Sequence, residues 1–372
     1  MPDQFLLLPT RPGARVLIVS GSVGAGHDGA ARELAARLER RGVEVAVRDL
    51  LAAVPGPVAH LLRDGYTTSV SKVPAAFELL FRRLEHRGLL WRAEQRICAA
   101  AERTVLDWLD QVQPDLVVST YPLASQTLGE LRGSGRLTVP VLTYLTDPAV
   151  HASWLHPAVD AHLTVTAATA WHGEAAYGGT FTVAGPLAPE RFRTALPLRR
   201  LVELRADLGL APGRPVALLV AGSLGLGDLR PTVRDLLAAG TTPLVLCGRN
   251  ERVRRQVARQ AGAVALGWRD DVDQLMQVAD VLVHNAGGLS FTEALVAGLP
   301  AVTYRPIPGH GRANARVLAQ SGLAPWARTA AELADRVHEQ LGRERTSPAH
   351  PDPADLVLSA LPQPVAPVRT AT

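Results

Sequence analysis

With 372 residues, the chain is long enough for two domains with full cores. A hydrophobic share of 47% and a charged share of 20% are those of a globular protein, and no apolar run approaches the roughly 18 residues of a membrane span, which leaves a soluble or at most peripheral protein. The net charge of +4 comes with no basic-aromatic stripe or recognition motif, so no nucleic acid partner is expected, and Cys98 and Cys247 are too few and too far apart for a disulfide framework or a zinc knuckle.

From the N-terminus, Asp3 stands where a signal peptide would be basic, and the short "FLLL" is broken by Pro9 and Pro12, so the chain is expected to stay in the cytosol. Apolar runs bounded by turn signals then give "RVLIVS" (15–20), a helix over 28–41, "VEVAVRDL" (43–50), "PDLVVST" (114–120), "PVLTYLT" (140–146) and "AHLTVT" (161–166). A second series follows: "PVALLVAGS" (215–223), "PLVLCG" (243–248), "AVALG" (263–267), "DVLVHNA" (280–286) and "PAVTYR" (300–305). Strand-then-helix order of this kind predicts the α/β class, with two Rossmann-like, doubly wound parallel sheets. Ligands of such sheets bind at the carboxyl ends of the strands, which in two tandem domains face a common cleft. Residues 1–187 are read as the first domain, 188–345 as the second, and 346–372, rich in proline, as a disordered tail; the aperiodic "GPLAPERFRTALPL" (185–198) reads as the linker.

Two glycine turns follow the first strand of each domain. "GSVGAGHDGA" (21–30) is not a nucleotide-hydrolase loop, because His27 and Asp28 stand where lysine and a hydroxyl residue are required. The second lies within Gly222–Gly227. Between them, residues 61–109 break the strand-helix alternation with a helical insert that mixes Phe77, Phe81 and Trp91 with Arg82, Arg83 and Arg87. Composition alone favours an amphipathic helix pair packed on the domain; the same mixture also suits a surface that dips into anionic headgroups.

The stretch 279–324 carries the densest signal. A strand ends at Gly287-Gly288, and a helix is expected near Ser290, with backbone N–H groups turned to any phosphate in the cleft. Glu293, three residues on, has capping-box spacing, or it is a carboxylate that takes both hydroxyls of a ribose.

With these residues the chain resembles the GT-B glycosyltransferases of family 28, and among them the diacylglycerol glycosyltransferases. The resemblance runs through "GAGH" (24–27), "QPDLVVSTYP" (113–122), Thr146-Asp147 with "WLHPAVD" (154–160), "VAGPLAPERF" (183–192), "LCGRN" (246–250), "GWRDDVDQLM" (267–276) and the 279–324 stretch. It implies an inverting enzyme, without metal or other cofactor, that moves a hexose from a UDP-sugar to a lipid hydroxyl, diacylglycerol being the expected acceptor, on an anionic membrane at its cytoplasmic face. The resemblance places His27 as general base, with Asp147 as competing base or as the group that orients the imidazole; a histidine that only ties down its own helix is the alternative. It assigns Gly222, Ser223 and Gly225 to phosphate, Gly248, Arg249, Asn250, Gly267 and Trp268 to the base, and Ser290 and Glu293 to phosphate and ribose. Asn285, Gly287, Gly288, Leu289, Gly309, His310 and Asn314 complete the donor side. Gly24 and Gly26, with the insert residues Phe77, Phe81, Arg82, Arg83, Arg87 and Trp91, fall on the acceptor and membrane side.

The chain departs from the family at two points. Asn285 replaces a lysine beside the donor phosphates, where Arg249 or helix dipoles are the available substitutes, and "PGHG" (308–311) puts His310 and Gly311 where a glutamine and a glutamate read the sugar. Two rival readings follow: a UDP-GlcNAc transferase of the peptidoglycan type acting on a polyprenyl-linked acceptor, and a non-catalytic protein that binds sugar nucleotide or lipid.

Overall fold

A computed structural model describes residues 13–63, 88–220 and 229–362. It contains two parallel six-stranded sheets. The first runs β2-β1-β3-β4-β5-β6, from β1 (Arg15–Ser20), β2 (Glu44–Asp49), β3 (Leu116–Ser119), β4 (Val141–Leu145), β5 (Ala161–Thr164) and β6 (Thr182–Val183). The second runs β12-β11-β10-β7-β8-β9, from β7 (Val216–Val220), β8 (Thr242–Leu246), β9 (Val264–Leu266), β10 (Val281–His284), β11 (Ala301–Tyr304) and β12 (Trp326–Ala327). The central strands are mostly Val, Leu and Ile because helices cover both faces, and polar residues that they carry, such as Ser119, Thr143 and His284, are buried and hydrogen-bonded.

Period-two alternation sorts the first sheet between two cores. Val16 and Ile18 of β1 pack with Ala31, Leu34 and Leu38 of the helix over Ala25–Glu39, whereas Leu17 and Val19 pack with the helix over Leu89–Val112. That second helix buries Glu94, Cys98, Ala101, Val105 and Trp108, a four-three spacing that keeps one stripe on the sheet. This half of the insert is thus a packed helix, while Phe77, Phe81, Arg82, Arg83 and Arg87 lie outside the described residues. Leu61 and Leu89, which border that stretch, are exposed.

Three sequence expectations change. The first helix starts at Ala25 rather than 28, so His27 sits in its first turn. The aperiodic 185–198 stretch is packed: Leu187 joins the core of the first sheet, and Ala188 and Phe192 join that of the second. The proline-rich tail is not disordered through residue 362, because Pro353–Ser359 is a helix, with Asp352 accepting from the Ala354 N–H and Pro353 opening its first turn. Ala354, Val357 and Leu361 are buried in the first domain's core, and Asp352 pairs with Arg37 and Arg41 at 3.0 and 2.6 Å. Proline content signalled disorder, yet apolar residues at i, i+3 and i+7 had a ready-made groove to fill.

The domains touch closely at one end of the cleft. Asn314 accepts from the Ala149 N–H at 2.9 Å and donates to Asp147 Oδ1 at 3.1 Å and to the Ala286 carbonyl at 3.0 Å, so one buried amide joins both domains. Gly288 faces the Thr146 carbonyl oxygen so tightly that a Cβ there would overlap it. Gly288→Ala should therefore push the domains apart, costing about 1–3 kcal/mol as an overpacking change and lowering turnover; calorimetry and small-angle scattering of the variant check both effects.

The tail helix gives a second expectation. Val357→Ala should cost about 2 kcal/mol through two lost buried methyls and the cavity they leave. Burial pulls the Asp352 pKa upward, but hydrogen bonds from Arg41, the Ala354 N–H and Arg37 outweigh it and hold the carboxyl below its ordinary 3.8. The stability from this pair is present at neutral pH and is lost as the pH falls through the depressed value. Acid unfolding of Asp352→Asn against the parent should show a shallower acid slope in the variant.

Candidate functional site

A cavity of about 1040 Å³ opens between the carboxyl ends of the two sheets. On the first-domain side it is walled by Gly24, Gly26, His27, Thr146, Asp147 and Trp154, and beyond them by Leu61, Leu62, Leu90, Ile97 and Leu123. On the other side stand Gly248, Gly267, Trp268, Asn285, Gly287, Gly288, Leu289, Ser290, Glu293 and His310. Apolar residues are concentrated beyond His27 on the first-domain side, but both sides carry charged groups, Arg32, Glu33 and Asp147 on one and Arg269, Asp270 and Glu293 on the other.

Helix starts supply the polar character. The helices over Ala25–Glu39, Gly288–Ala297 and His310–Gln320 all begin at the cavity, and none has a side-chain cap. Thr166, Asn250, Thr329 and Asp352, by contrast, cap helices whose first turns lie elsewhere. Uncapped first-turn N–H groups and three positive dipole ends favour an anion in the cavity. The turn into Gly288–Ala297 is strained, since Ala286 has φ +67°, a left-handed value that costs a residue with a Cβ about 1–2 kcal/mol. Asn314 holds its carbonyl.

The helix starts at Gly288, with Gly287 as N-cap, and this corrects the capping-box reading. Ser290 and Glu293 fall inside the helix, too late to cap it, and both face the cavity. Burial pushes the Glu293 carboxyl up to about 8, with Arg191 opposing the shift and Asp273 adding to it.

His27 is anchored at one nitrogen. Its Nδ1 lies 2.9 Å from the Thr120 carbonyl and 3.1 Å from Thr146 Oγ1. A carbonyl can only accept, so Nδ1 carries the proton of the neutral ring and Nε2 keeps the lone pair. Tyr121 and Trp154 pack on the ring at 5.1 and 5.7 Å between centroids. Burial lowers the His27 pKa below 6.5; Asp147, the Thr120 carbonyl and Asp28 pull it up, and His310 pushes it down. His310 is lowered too, by burial, with Asp147 opposing.

Several sequence candidates have other surroundings. Asn250 caps the helix over Glu251–Ala258 through Val253 N–H at 3.1 Å, and Arg249 stacks on Trp268 at 4.4 Å behind the cavity edge. Gly309, with φ +70°, is the N-cap of the helix that begins at His310. Asn314 joins the domains rather than lining the cavity, and Leu289 packs against Gly26 and Gly29 across the cleft. Trp91 is half-buried and outside the lining, and Gly222, Ser223 and Gly225 lie outside the described residues. Gly311 cannot be exchanged freely, because a Cβ there would overlap Ile307.

Sequence reasoning gave no role to Thr120, Thr146 and Trp154, which surround His27, or to Glu94 in the apolar wall. A charged residue in phase with Cys98, Ala101 and Val105 was the available signal for Glu94. Among the described residues, no group of three or more His, Cys, Asp or Glu is placed to hold a metal ion, and no helix is long and apolar enough to cross a membrane.

Two family models match in tandem: monogalactosyldiacylglycerol (MGDG) synthase over residues 27–172 and the glycosyltransferase family 28 C-terminal domain over 216–355. A processive diacylglycerol beta-glucosyltransferase of Bacillus cereus is 25% identical, with 93% of each chain covered, and one of Bacillus mycoides is 26% identical over 86% of this chain and 83% of its own. The solved structure of Acinetobacter baumannii MurG superposes with a TM-score of 0.58 at 19% identity, covering 94% of this chain and 99% of that one. With both domains matched and both sheets in place, the chain belongs to the family 28 glycosyltransferases and has their GT-B fold.

Proposed function

We propose that this enzyme transfers a hexose from a UDP-sugar to the hydroxyl of a diacylglycerol-type lipid, with inversion, at a membrane surface. The observation that carries the reading is one cavity in which a histidine with a free Nε2 and an apolar wall face uncapped helix N-termini. The names of the relatives point to the same acceptor, and exposed Leu61 and Leu89 beside the apolar wall suit a lipid surface.

In this mechanism the lipid hydroxyl attacks the anomeric carbon while its proton passes to His27 Nε2, and the sugar–phosphate bond breaks with its electron pair leaving on UDP. Asp147 stabilises the imidazolium as it forms. The N–H groups from Gly287 to Ser290 receive the diphosphate charge, which calls for no metal and offsets the neutral Asn285. Glu293 accepts hydrogen bonds from the ribose hydroxyls. His310, where the sugar would lie, is a neutral donor or acceptor.

The reading is tested by incubating the protein with UDP-glucose, UDP-galactose and UDP-GlcNAc and diacylglycerol vesicles, with products followed by mass spectrometry and anomeric NMR. A β-linked glycolipid from an α-linked donor supports it. Transfer to a polyprenyl diphosphate acceptor alone, or tight UDP binding without turnover, would replace it with one of the rivals.

His27→Ala should lower kcat by about 10²–10⁴ while leaving UDP affinity unchanged. Because the base must be neutral and its pKa is lowered, the acid limb of kcat/KM in the wild type should fall below pH 6.5 and vanish in the variant. A limb that persists in His27→Ala assigns it to another group, Asp147 first.

Glu293 makes donor affinity pH-dependent. Its carboxyl is mostly protonated below about 8, and the ionised form is the better acceptor for two hydroxyls, so UDP should bind more tightly as the pH rises from 7 toward 8 and level off above. Glu293→Gln should flatten that profile in calorimetric titrations; a profile unchanged by the substitution removes the ribose role.

A further inference from the structure

Glu94 is a charged residue type in the wrong place for stability. It lies on the helix over Leu89–Val112, in phase with the buried Cys98, Ala101 and Val105, and is only 6% exposed. It contributes to the cavity wall between Leu90, Ala93 and Ile97, with Leu123 also in that wall. Neither carboxyl oxygen makes a hydrogen bond of good geometry, and the Ser153 hydroxyl is the polar group that approaches it. Burial pushes its pKa up, and Ser153, next to the Trp154 that packs on His27, offsets this only in part. A buried polar group left unpaired is disfavoured, and such a group in the wall of a binding cavity is one whose partner arrives with the ligand.

We propose that Glu94 is an acceptor-reading residue: it hydrogen-bonds a second hydroxyl of the acceptor, one that does not react, and so selects acceptors with more than one hydroxyl. The inference rests on the lipid-glycosylation reading. A hydroxyl fits this position better than an ester carbonyl. A carboxyl group, with or without its proton, has lone pairs that take a hydroxyl's hydrogen, whereas a carbonyl only accepts and leaves them unpaired. The apolar residues around it receive the acyl chains. The second hydroxyl belongs either to the glycerol or to a sugar already attached, and both present the same donor and acceptor.

The test compares wild type, Glu94→Leu and Glu94→Gln on three acceptors: diacylglycerol with one hydroxyl, monoacylglycerol with two, and glucosyl-diacylglycerol with hydroxyls on its sugar. Glu94→Leu should lower kcat/KM for at least one of the latter two by tenfold or more while leaving diacylglycerol within threefold, and the acceptor affected tells glycerol from sugar. Glu94→Gln, which still donates and accepts, should stay within threefold on all three. Glu94→Leu should also melt at or above the wild-type temperature, because it removes an unpaired buried group; a purely structural carboxyl predicts a lower melting temperature and equal losses on every acceptor. Equal effects on all acceptors, or none, overturn the proposal. Monoacylglycerol and glucosyl-diacylglycerol binding, measured without donor by tryptophan fluorescence, separates the two ideas: if the wild type glycosylates nothing, the lipid reading falls. Weaker binding of either lipid to Glu94→Leu than to wild type then still supports the assignment, and equal binding of both sinks it.

Discussion

The close approach of two helix N-termini across the cleft sets the geometry on which the site depends. Gly288 packs on the Thr146 carbonyl, Leu289 packs on Gly26 and Gly29, and Asn314 satisfies groups of both domains at once. Each contact uses backbone or a short side chain on at least one side, so the spacing between the helix carrying His27 and the helix over Gly288–Ala297 tolerates little error. Thr146 serves twice, since its carbonyl meets Gly288 and its hydroxyl meets His27 Nδ1 at 3.1 Å. Domain closure and imidazole orientation are therefore set by the same residue.

Desolvation dominates the chemistry of the cavity. It lowers both His27 and His310 and raises Glu293 and Glu94, so each of the four is driven toward its neutral form. Asn285, which lines the cavity, and Gly311, which packs beside it, are uncharged as well. The Gly311 exchange is built into its surroundings, because Ile307 occupies the space a Cβ would need. Three uncapped helix starts, with Arg32, Arg191 and Arg269 in the same lining, are the fixed sources of positive potential in the cavity. A site arranged in this way favours the neutral form of His27 without a charged partner in hydrogen-bonding contact.

The sheets were legible because buried parallel strands leave continuous apolar runs, and ten of the twelve strands coincide with such runs. The two-residue β6 and β12 were not, since two residues carry no period. His27 and Glu293 could be named from motif and spacing, but their surroundings could not. Thr120 and Trp154 reach His27 from distant chain positions. The helix boundary at Gly288, which turns Glu293 from a cap into a cavity residue, depends on a left-handed Ala286 that no propensity predicts. The tail misled for the opposite reason: its prolines flank the helix over Pro353–Ser359, and the burial that orders it comes from another domain's helix.

That tail also limits how the domains move. Leaving the second domain, the chain is pinned by Arg345 on the Met276 and Ala279 carbonyls and by Ser347 on the Val296 carbonyl, where Gly298 leaves room for Thr346. Within five residues it reaches Asp352, which is held by Arg37 on the helix that carries His27 and by Arg41 just past that helix's end. A strap this short, anchored at both ends, permits rotation about its own axis far more readily than separation. The helix carrying His27 and the helix carrying Ser290 and Glu293 are the two elements that the tail ties together, since it is anchored to the back of the first and to the C-terminal end of the second.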